Sequence, residues 1–146
     1  MTVPYFEDIQ VGDSVPELVR GPVTHIGLVR YSGACGDFNP IHTVPEVARS
    51  VGLEGIIAHG MLIMAYAGQL LTNWAGPSAL RRFKVRFSGM TVPGESVRCE
   101  AKITKLIDDD PSGEALVEGR LTVKGAEDDS LKLKGDFTVA IPRRSD

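Results

Sequence analysis

Cysteine is scarce in this chain, which has two among 146 residues, Cys35 and Cys99. They form no CxxC pair, so the sequence excludes a disulfide scaffold and a four-cysteine zinc site. Free thiols fit a reducing compartment, and we expect the protein to be cytoplasmic. Cys35 is predicted to be a buried packing residue rather than a nucleophile, because no base of its own accompanies it.

The chain also lacks an excess of basic residues. Its 16 Lys and Arg stand against 19 Asp and Glu, and the net charge of −3 argues against a broad nucleic-acid surface. The N-terminus has neither a basic start nor an apolar run, so we expect no secretory signal. Residues 55–80 contain no charged side chain, but polar residues and a proline interrupt them. A core helix is therefore predicted there, and no membrane span.

What is present is an ordinary globular composition, with 42% hydrophobic and 24% charged residues. This balance argues against intrinsic disorder. A chain of this length can bury a core without a metal or disulfides, and we expect one domain over residues 1–146.

Helical signals occupy the first half of the chain. Short helices are predicted at residues 24–31 and 46–51, separated by a polar loop. The second has the start signal of a capping box, in which Thr43 is the N-cap and Glu46 reaches back. Residues 59–73 are predicted to form a long apolar helix.

The second half alternates apolar and polar residues, which is the period of a strand with one buried face. Phe83, Val85 and Phe87 form the apolar side of the first strand. Three further strands are predicted, at residues 97–103, 116–124 and 131–141. Short turn-forming connections favour antiparallel neighbours. We therefore predict an α+β protein with the hot-dog fold, an antiparallel β-sheet wrapped around a long central apolar helix.

Asp37 and His42 flank an Asn39-Pro40 step in the polar loop. Pro40 fixes its own φ angle and keeps Asn39 out of the helical region, so the loop is stiff. A stiff loop holds a carboxylate and an imidazole at one separation, as general acid–base catalysis requires. The alternative is that Asp37 and Asn39 are turn-formers and His42 is a surface residue.

Gly60 lies in the first turn of the predicted apolar helix. Amides in that turn have no intrahelical partners and lie at the positive end of the helix dipole. Because glycine has no side chain, a carbonyl oxygen can approach the Gly60 N–H and be stabilised as it gains negative charge. Alternatively, the glycine only allows close packing of the helix against a strand.

Together, the segments Gly36-Asp37-Phe38-Asn39-Pro40-Ile41-His42 and Ile57-Ala58-His59-Gly60-Met61 resemble the MaoC-like hydratase/dehydratase family. That family comprises (R)-specific enoyl-thioester hydratases and 3-hydroxyacyl-thioester dehydratases with a single hot-dog fold. The resemblance runs from residues 6–13 to residues 85–87. Trp74, residues 85–87 and the spacing of the two segments look most similar to actinobacterial dehydratase subunits of fatty-acid elongation.

The resemblance implies a lyase of fatty-acid metabolism in which Asp37 and His42 are the catalytic pair. They would activate water for addition to a trans-2-enoyl thioester, or remove the hydroxyl of an (R)-3-hydroxyacyl thioester. The Gly60 N–H would bind the thioester carbonyl, and Asn39 would arrange the loop. No metal or cofactor is implied, since the substrate arrives as a thioester of coenzyme A or acyl carrier protein.

Two positions depart from the family pattern. Val44 stands where relatives often have Asp, and Thr43 is expected to supply the helix cap instead. Gly68, on the apolar helix, replaces a polar side chain that some relatives have there. We expect this glycine to leave extra room alongside the acyl chain.

Several assignments stay open on the sequence alone. His59 is either a third catalytic group or a structural histidine at the helix start. Arg82, Lys84 and Arg86 share the polar face of one strand. They are either solvated charges or contacts for the phosphates of coenzyme A or a carrier protein.

Other functions are also open. Hot-dog folds host thioesterases as well. A third alternative is a non-catalytic partner subunit of a heterodimeric dehydratase, although such a subunit would be expected to lack Asp37 and His42. For any of these functions we expect a homodimer or a heterodimer with a second hot-dog subunit.

Overall fold

The computed structural model describes residues 3–144, which form three α-helices and five β-strands. The helices are α1 (His25–Cys35), α2 (Pro45–Ser50) and α3 (Gly60–Ala75). The strands are β1 (Ser14–Arg20), β2 (Leu80–Phe87), β3 (Val97–Ile107), β4 (Leu116–Gly125) and β5 (Leu131–Ala140). Single turns of 3-10 helix occur at Phe6–Asp8 and Pro40–His42.

The strands form one antiparallel sheet in the order β1-β3-β4-β5-β2. α3 contacts all five strands, so the sheet wraps around it and the predicted hot-dog fold is confirmed. The core side of α3 consists of five buried residues, Ile63, Ala67, Leu70, Leu71 and Ala75. In the part of the chain that the structure describes, no helix combines the length and the apolar character that a membrane span needs.

The helix starts differ in part from the predictions. Thr24 caps α1, since its hydroxyl oxygen accepts a hydrogen bond from the Gly27 N–H at 3.1 Å. The predicted capping box at Thr43 is wrong, because α2 begins at Pro45 and its N-cap is Val44, without a side-chain hydrogen bond. Thr43 instead ends the preceding 3-10 turn, and its N–H donates to the Pro40 carbonyl. It therefore lies one residue too early to cap α2.

The connection between β2 and β3, residues 88–96, is held by an ion pair whose lysine is buried. Lys132 of β5 is 5% exposed, and its Nζ lies 3.0 Å from Glu95 Oε2. The Thr91 carbonyl of the same connection accepts a hydrogen bond from the Ala58 N–H at 2.7 Å. The connection therefore fixes the segment that enters α3.

The two cysteines differ in exposure. Cys99 of β3 is fully buried, and burial raises the pKa of its thiol to about 12. Cys35 is exposed at the end of α1, so its prediction as a buried packing residue is wrong. The helix continues past its predicted end at residue 31 and turns Cys35 toward solvent.

We expect a water-soluble thiol reagent at mildly alkaline pH to modify one thiol of the folded chain quickly and the second only after unfolding. The reason is that the nucleophile is the thiolate, and Cys99 has almost none below its raised pKa. A Cys35→Ser variant is expected to lose the fast reaction. Two fast thiols in the folded chain would contradict the burial of Cys99.

Candidate active site

The loop between α1 and α2 fixes the carboxylate of Asp37. The Asn39 N–H donates to Asp37 Oδ1 at 3.1 Å, and the Ile41 N–H donates to Asn39 Oδ1 at 3.2 Å. Asn39 thus caps the 3-10 turn that carries His42. The second carboxylate oxygen, Oδ2, lies 3.8 Å from His42 Nε2. The side chain of Asp37 is half exposed and that of His42 is buried, so the pair opens to solvent on the Asp37 side.

The tautomer of His42 follows from its other ring nitrogen. Nδ1 lies 2.8 Å from the Ile57 carbonyl oxygen, which can only accept, so Nδ1 carries the proton. In the neutral ring, Nε2 is then an acceptor. Two acceptors, Asp37 Oδ2 and His42 Nε2, face each other at a distance too long for a direct hydrogen bond. A water molecule between them can donate one hydrogen bond to each.

Gly60 opens α3 beside this pair. The first helical hydrogen bonds run from the Leu62 and Ile63 amides to the His59 carbonyl, which leaves the Gly60 N–H outside the helical ladder. Gly60 directly follows His59, whose ring stacks on His42 with centroids 3.8 Å apart. The structure therefore places Asp37, His42 and the Gly60 amide in one region.

A phenyl ring of β2 limits the space at Gly60. A Cβ atom built on Gly60 would lie 3.2 Å from Phe87 Cε1. The sequence predicted Phe87 on a buried face, but its side chain is half exposed because it lies at the end of an edge strand. This contact agrees with the alternative that Gly60 allows close packing of the helix against a strand. The sequence did not identify Phe87 as the partner, since only the folded sheet brings β2 beside the start of α3.

His59 lies behind the pair and not at its open side. It is 1% exposed, and its Nε2 is 3.2 Å from the backbone oxygen of Asp37. Burial lowers the pKa of His59. Of the two roles that the sequence left open, this enclosed position favours the structural one.

Asp37, His42 and His59 have possible ligand atoms within 4.8 Å of one another, so we tested their fit to a metal ion. The two rings stack at an interplanar angle of 26°. Their in-plane lone pairs therefore run side by side, whereas a metal requires lone pairs that converge on one point. In addition, Nδ1 of His42 and Nε2 of His59 are hydrogen-bonded to backbone carbonyls. The arrangement fits proton transfer better than metal binding.

The space beside Gly68 is filled, which corrects the expectation of extra room there. A Cβ atom built on Gly68 would already contact Phe83 Cε1 at 3.4 Å. The two rings of β2 thus face the two glycines of α3: Phe83 faces Gly68, and Phe87 faces Gly60. The missing side chain of Gly68 is thus replaced by an aromatic ring from the sheet.

Lys84 and Arg86 lie on the other face of the sheet. They alternate along β2 with Phe83 and Phe87, whose rings face α3, so their side chains leave from the opposite side. There they border a shallow depression of about 700 Å³ together with Arg120, Lys134 and Asp136. The structure does not bring Lys84 and Arg86 into the cleft of Asp37 and His42.

Comparisons with known proteins relate this chain to one family, to two relatives in sequence and to one solved structure. Residues 8–125 match the family described as MaoC like domain. The fatty acid synthase beta subunit pkiC of Emericella nidulans is 34% identical over 120 residues, which are 77% of this chain and 6% of that subunit. The (R)-specific enoyl-CoA hydratase of Rhodospirillum rubrum is 27% identical over 142 residues, covering 96% of this chain and 93% of that enzyme. An (R)-hydratase from A. caviae involved in PHA biosynthesis superposes with a TM-score of 0.82 at 22% identity, covering 93% and 99% of the two chains.

Proposed function

This chain belongs to the MaoC-like domain family, and from that premise we propose the reaction that it catalyses. The reaction is the reversible addition of water to a trans-2-enoyl thioester, which gives an (R)-3-hydroxyacyl thioester. The observation that carries the proposal is the pair of acceptors, Asp37 Oδ2 and His42 Nε2, that face one position for a water. The (R) configuration follows the activity named for the R. rubrum relative, which this chain matches along nearly its whole length.

In the proposed mechanism, the water donates one hydrogen bond to Asp37 and one to His42. As its oxygen adds to C3 of the enoyl group, the water loses a proton to His42 Nε2. Asp37 orients the water and stabilises the imidazolium. The electron pair of the double bond moves to the thioester oxygen, and the Gly60 N–H stabilises the resulting enolate.

The imidazolium then returns the proton to C2, and the enolate collapses to the 3-hydroxyacyl thioester. Because the hydroxyl and the proton both come from the Asp37–His42 side, they add to the same face of the substrate. The same groups catalyse dehydration when the steps run in reverse. Asn39 acts on this reaction by holding Asp37 Oδ1.

The proposed steps involve only water, the substrate and groups of this chain. All atoms come from water and substrate, so we propose that the reaction uses no cofactor and no metal. Both cysteines are free thiols, and we propose a cytoplasmic location for the protein.

The test is hydration of short and long trans-2-enoyl-CoA by the purified chain, followed by loss of the enoyl absorbance. The configuration of the product is read with an (R)-specific dehydrogenase, and free coenzyme A is measured in the same samples. Enoyl loss with (R)-product supports the hydratase. Release of coenzyme A without (R)-3-hydroxyacyl product would contradict it and support a thioesterase, since cleavage of the thioester also removes the enoyl-thioester absorbance.

We also propose that Lys84 and Arg86 contact the phosphates of coenzyme A or the acidic surface of a carrier protein. With Arg120 and Lys134 they give this depression four cations against the single carboxylate of Asp136, in a chain whose net charge is negative. Such a patch attracts an anionic carrier.

Reversing both charges, in Lys84→Glu/Arg86→Glu, is expected to raise KM for an enoyl-CoA about tenfold at low salt and to leave kcat unchanged. The increase should shrink at high salt, since screening already weakens the contact in the parent. The matched control is Arg49→Glu/Lys105→Glu, which changes the same charge at exposed positions of α2 and β3 that do not border the depression. An equal rise in KM for both pairs would show that only net charge matters.

A second subunit is proposed at the β2 edge of the sheet. β2 has no strand on its outer side within residues 3–144. Four apolar side chains are exposed on this edge or next to the Asp37–His42 site, namely Phe38, Met61, Phe87 and Met90. We propose that another hot-dog subunit, the same or a different one, covers them. A monomer mass in sedimentation at all dilutions would contradict a homodimer.

A further inference from the structure

His59 contacts both members of the acid–base pair. Its ring stacks on His42 with centroids 3.8 Å apart and an interplanar angle of 26°. Its Nε2 lies 3.2 Å from the backbone oxygen of Asp37. On its other side, the ring of Tyr31 meets it edge-on with centroids 5.0 Å apart. His59 is thus enclosed between the pair and α1.

The contacts of His59 define its protonation. The carbonyl of Asp37 only accepts hydrogen bonds, so Nε2 carries the proton, and Ser32 Oγ, also at 3.2 Å, is a second acceptor. Nδ1 is buried and has no hydrogen-bond partner among the described residues. A proton there would be a buried donor with nothing to accept it. Burial also lowers the pKa of the ring, and both observations keep His59 neutral.

His59 is also the N-cap residue of α3. Its carbonyl accepts hydrogen bonds from the Leu62 and Ile63 amides, and the next residue is Gly60. One residue therefore joins three parts of the site: the backbone of Asp37, the ring of His42 and the helix end that presents the Gly60 N–H. The side chain of His42 also reaches the segment before α3, at the Ile57 carbonyl, but it makes no hydrogen bond to the backbone of Asp37.

We infer that His59 is a positioning residue that holds Asp37 and His42 at a fixed place relative to the Gly60 amide. It does so through the Nε2–H bond to the Asp37 carbonyl and the stack on His42. Its kinetic consequence rests on the proposed hydratase reaction, whereas its effect on the Asp37 loop does not.

Two variants separate the contacts of His59. His59→Phe keeps a flat ring for the stack and loses the donor, whereas His59→Gln keeps a donor of similar reach and loses the ring. Displacement of a catalytic group by about 1 Å can cost about 10²-fold in rate. We expect His59→Phe to lower kcat about 30-fold with KM within about twofold, and His59→Gln to recover most of that loss. Equal losses in both variants would overturn the role of the carbonyl bond.

A matched control addresses stability. Ile63→Val removes a methyl group from a buried side chain in the same first turn of α3, away from the polar contacts. It is expected to lower the melting temperature and leave kcat within about twofold, since it makes no contact with the pair. A loss of kcat in Ile63→Val as large as in His59→Phe would show that stability alone explains the effect.

The loop itself provides a readout that needs no substrate. The Asn39 and Ile41 amides bond to side chains of the Asp37 loop, and NMR hydrogen exchange reports on both. In His59→Phe we expect exchange at these two amides to be at least about tenfold faster, while the β4 amide of Val123 is unchanged. Unchanged exchange would overturn the inference. If the parent fails to hydrate enoyl thioesters, the proposed function fails, and this measurement still decides the role of His59.

Discussion

Replacing His42 by Gln is expected to lower kcat/KM for enoyl-CoA hydration by about 10³-fold, because general acid–base catalysis typically contributes 10²- to 10⁴-fold. The Gln side chain can still donate toward the Ile57 carbonyl, which Nδ1 binds at 2.8 Å. It has no nitrogen that accepts a proton from water. Asp37→Asn is expected to cause a similar loss, because the amide no longer stabilises an imidazolium. The measurement is the initial rate of enoyl loss, with melting temperatures taken in parallel.

His25→Gln is the matched control for this experiment. Nε2 of His25 lies 2.8 Å from the Thr43 carbonyl, so His25 also bonds the backbone of the loop, but from an exposed position. The same substitution there should leave kcat/KM within about twofold. Full activity in a folded His42→Gln variant would contradict the mechanism and leave His42 with a structural role only.

Gly60→Ala is expected to lower kcat/KM about 10²-fold, which is the lower end of the loss seen when one oxyanion donor is removed. The added Cβ would lie 3.2 Å from Phe87 Cε1, so either the ring or the start of α3 must move. The methyl group would also occupy space that the thioester oxygen needs near the Gly60 N–H. Because this interaction strengthens as the enolate forms, most of the loss should appear in kcat.

Two further variants test the steric explanation. Gly33→Ala makes the same change in α1, where a Cβ atom would meet nothing within 4 Å, and it is expected to retain full activity. Gly60→Ala/Phe87→Ala removes the clashing ring, and it should recover part of the activity if ring displacement contributes. Unchanged kcat/KM in Gly60→Ala alone would contradict the steric explanation, because alanine keeps the amide and adds only the methyl group that meets Phe87.

Much of the fold follows from local pattern. The buried face of β3 is the one that alternation predicts, since Val97, Cys99, Ala101 and Ile103 are all buried. The stiffness of the Asn39-Pro40 loop predicted one fixed separation of Asp37 and His42, and the family resemblance made them a pair; Asp37 Oδ2 and His42 Nε2 lie 3.8 Å apart. Alternation along a strand was therefore a reliable local rule here, whereas the capping box at Thr43 was not.

The features that the sequence did not predict depend on contacts between segments that are distant along the chain. β1 has no clear alternation, because it is an edge strand with one fully buried residue, Val15, and its pairing with β3 shifts register between Val15 and Leu18. Pro16 stands within that irregularity, where a missing N–H is tolerated. Lys132 looks solvent-facing in sequence and becomes buried only when residues 88–96 cover it. The stack of His59 on His42 likewise exists only after α3 docks beside the loop.

The sheet order has a consequence for synthesis of the protein. Residues of the acid–base pair and the apolar helix α3 leave the ribosome before β3, β4 and β5, which form the centre of the sheet. β1 must also wait for β3, its pairing partner. During translation, therefore, α3 has no sheet to bury its apolar side, and such surfaces favour aggregation and chaperone binding. The nascent chain is most exposed to aggregation in the interval between α3 and β5. Asp37 and His42 can reach their final positions only when that interval has passed.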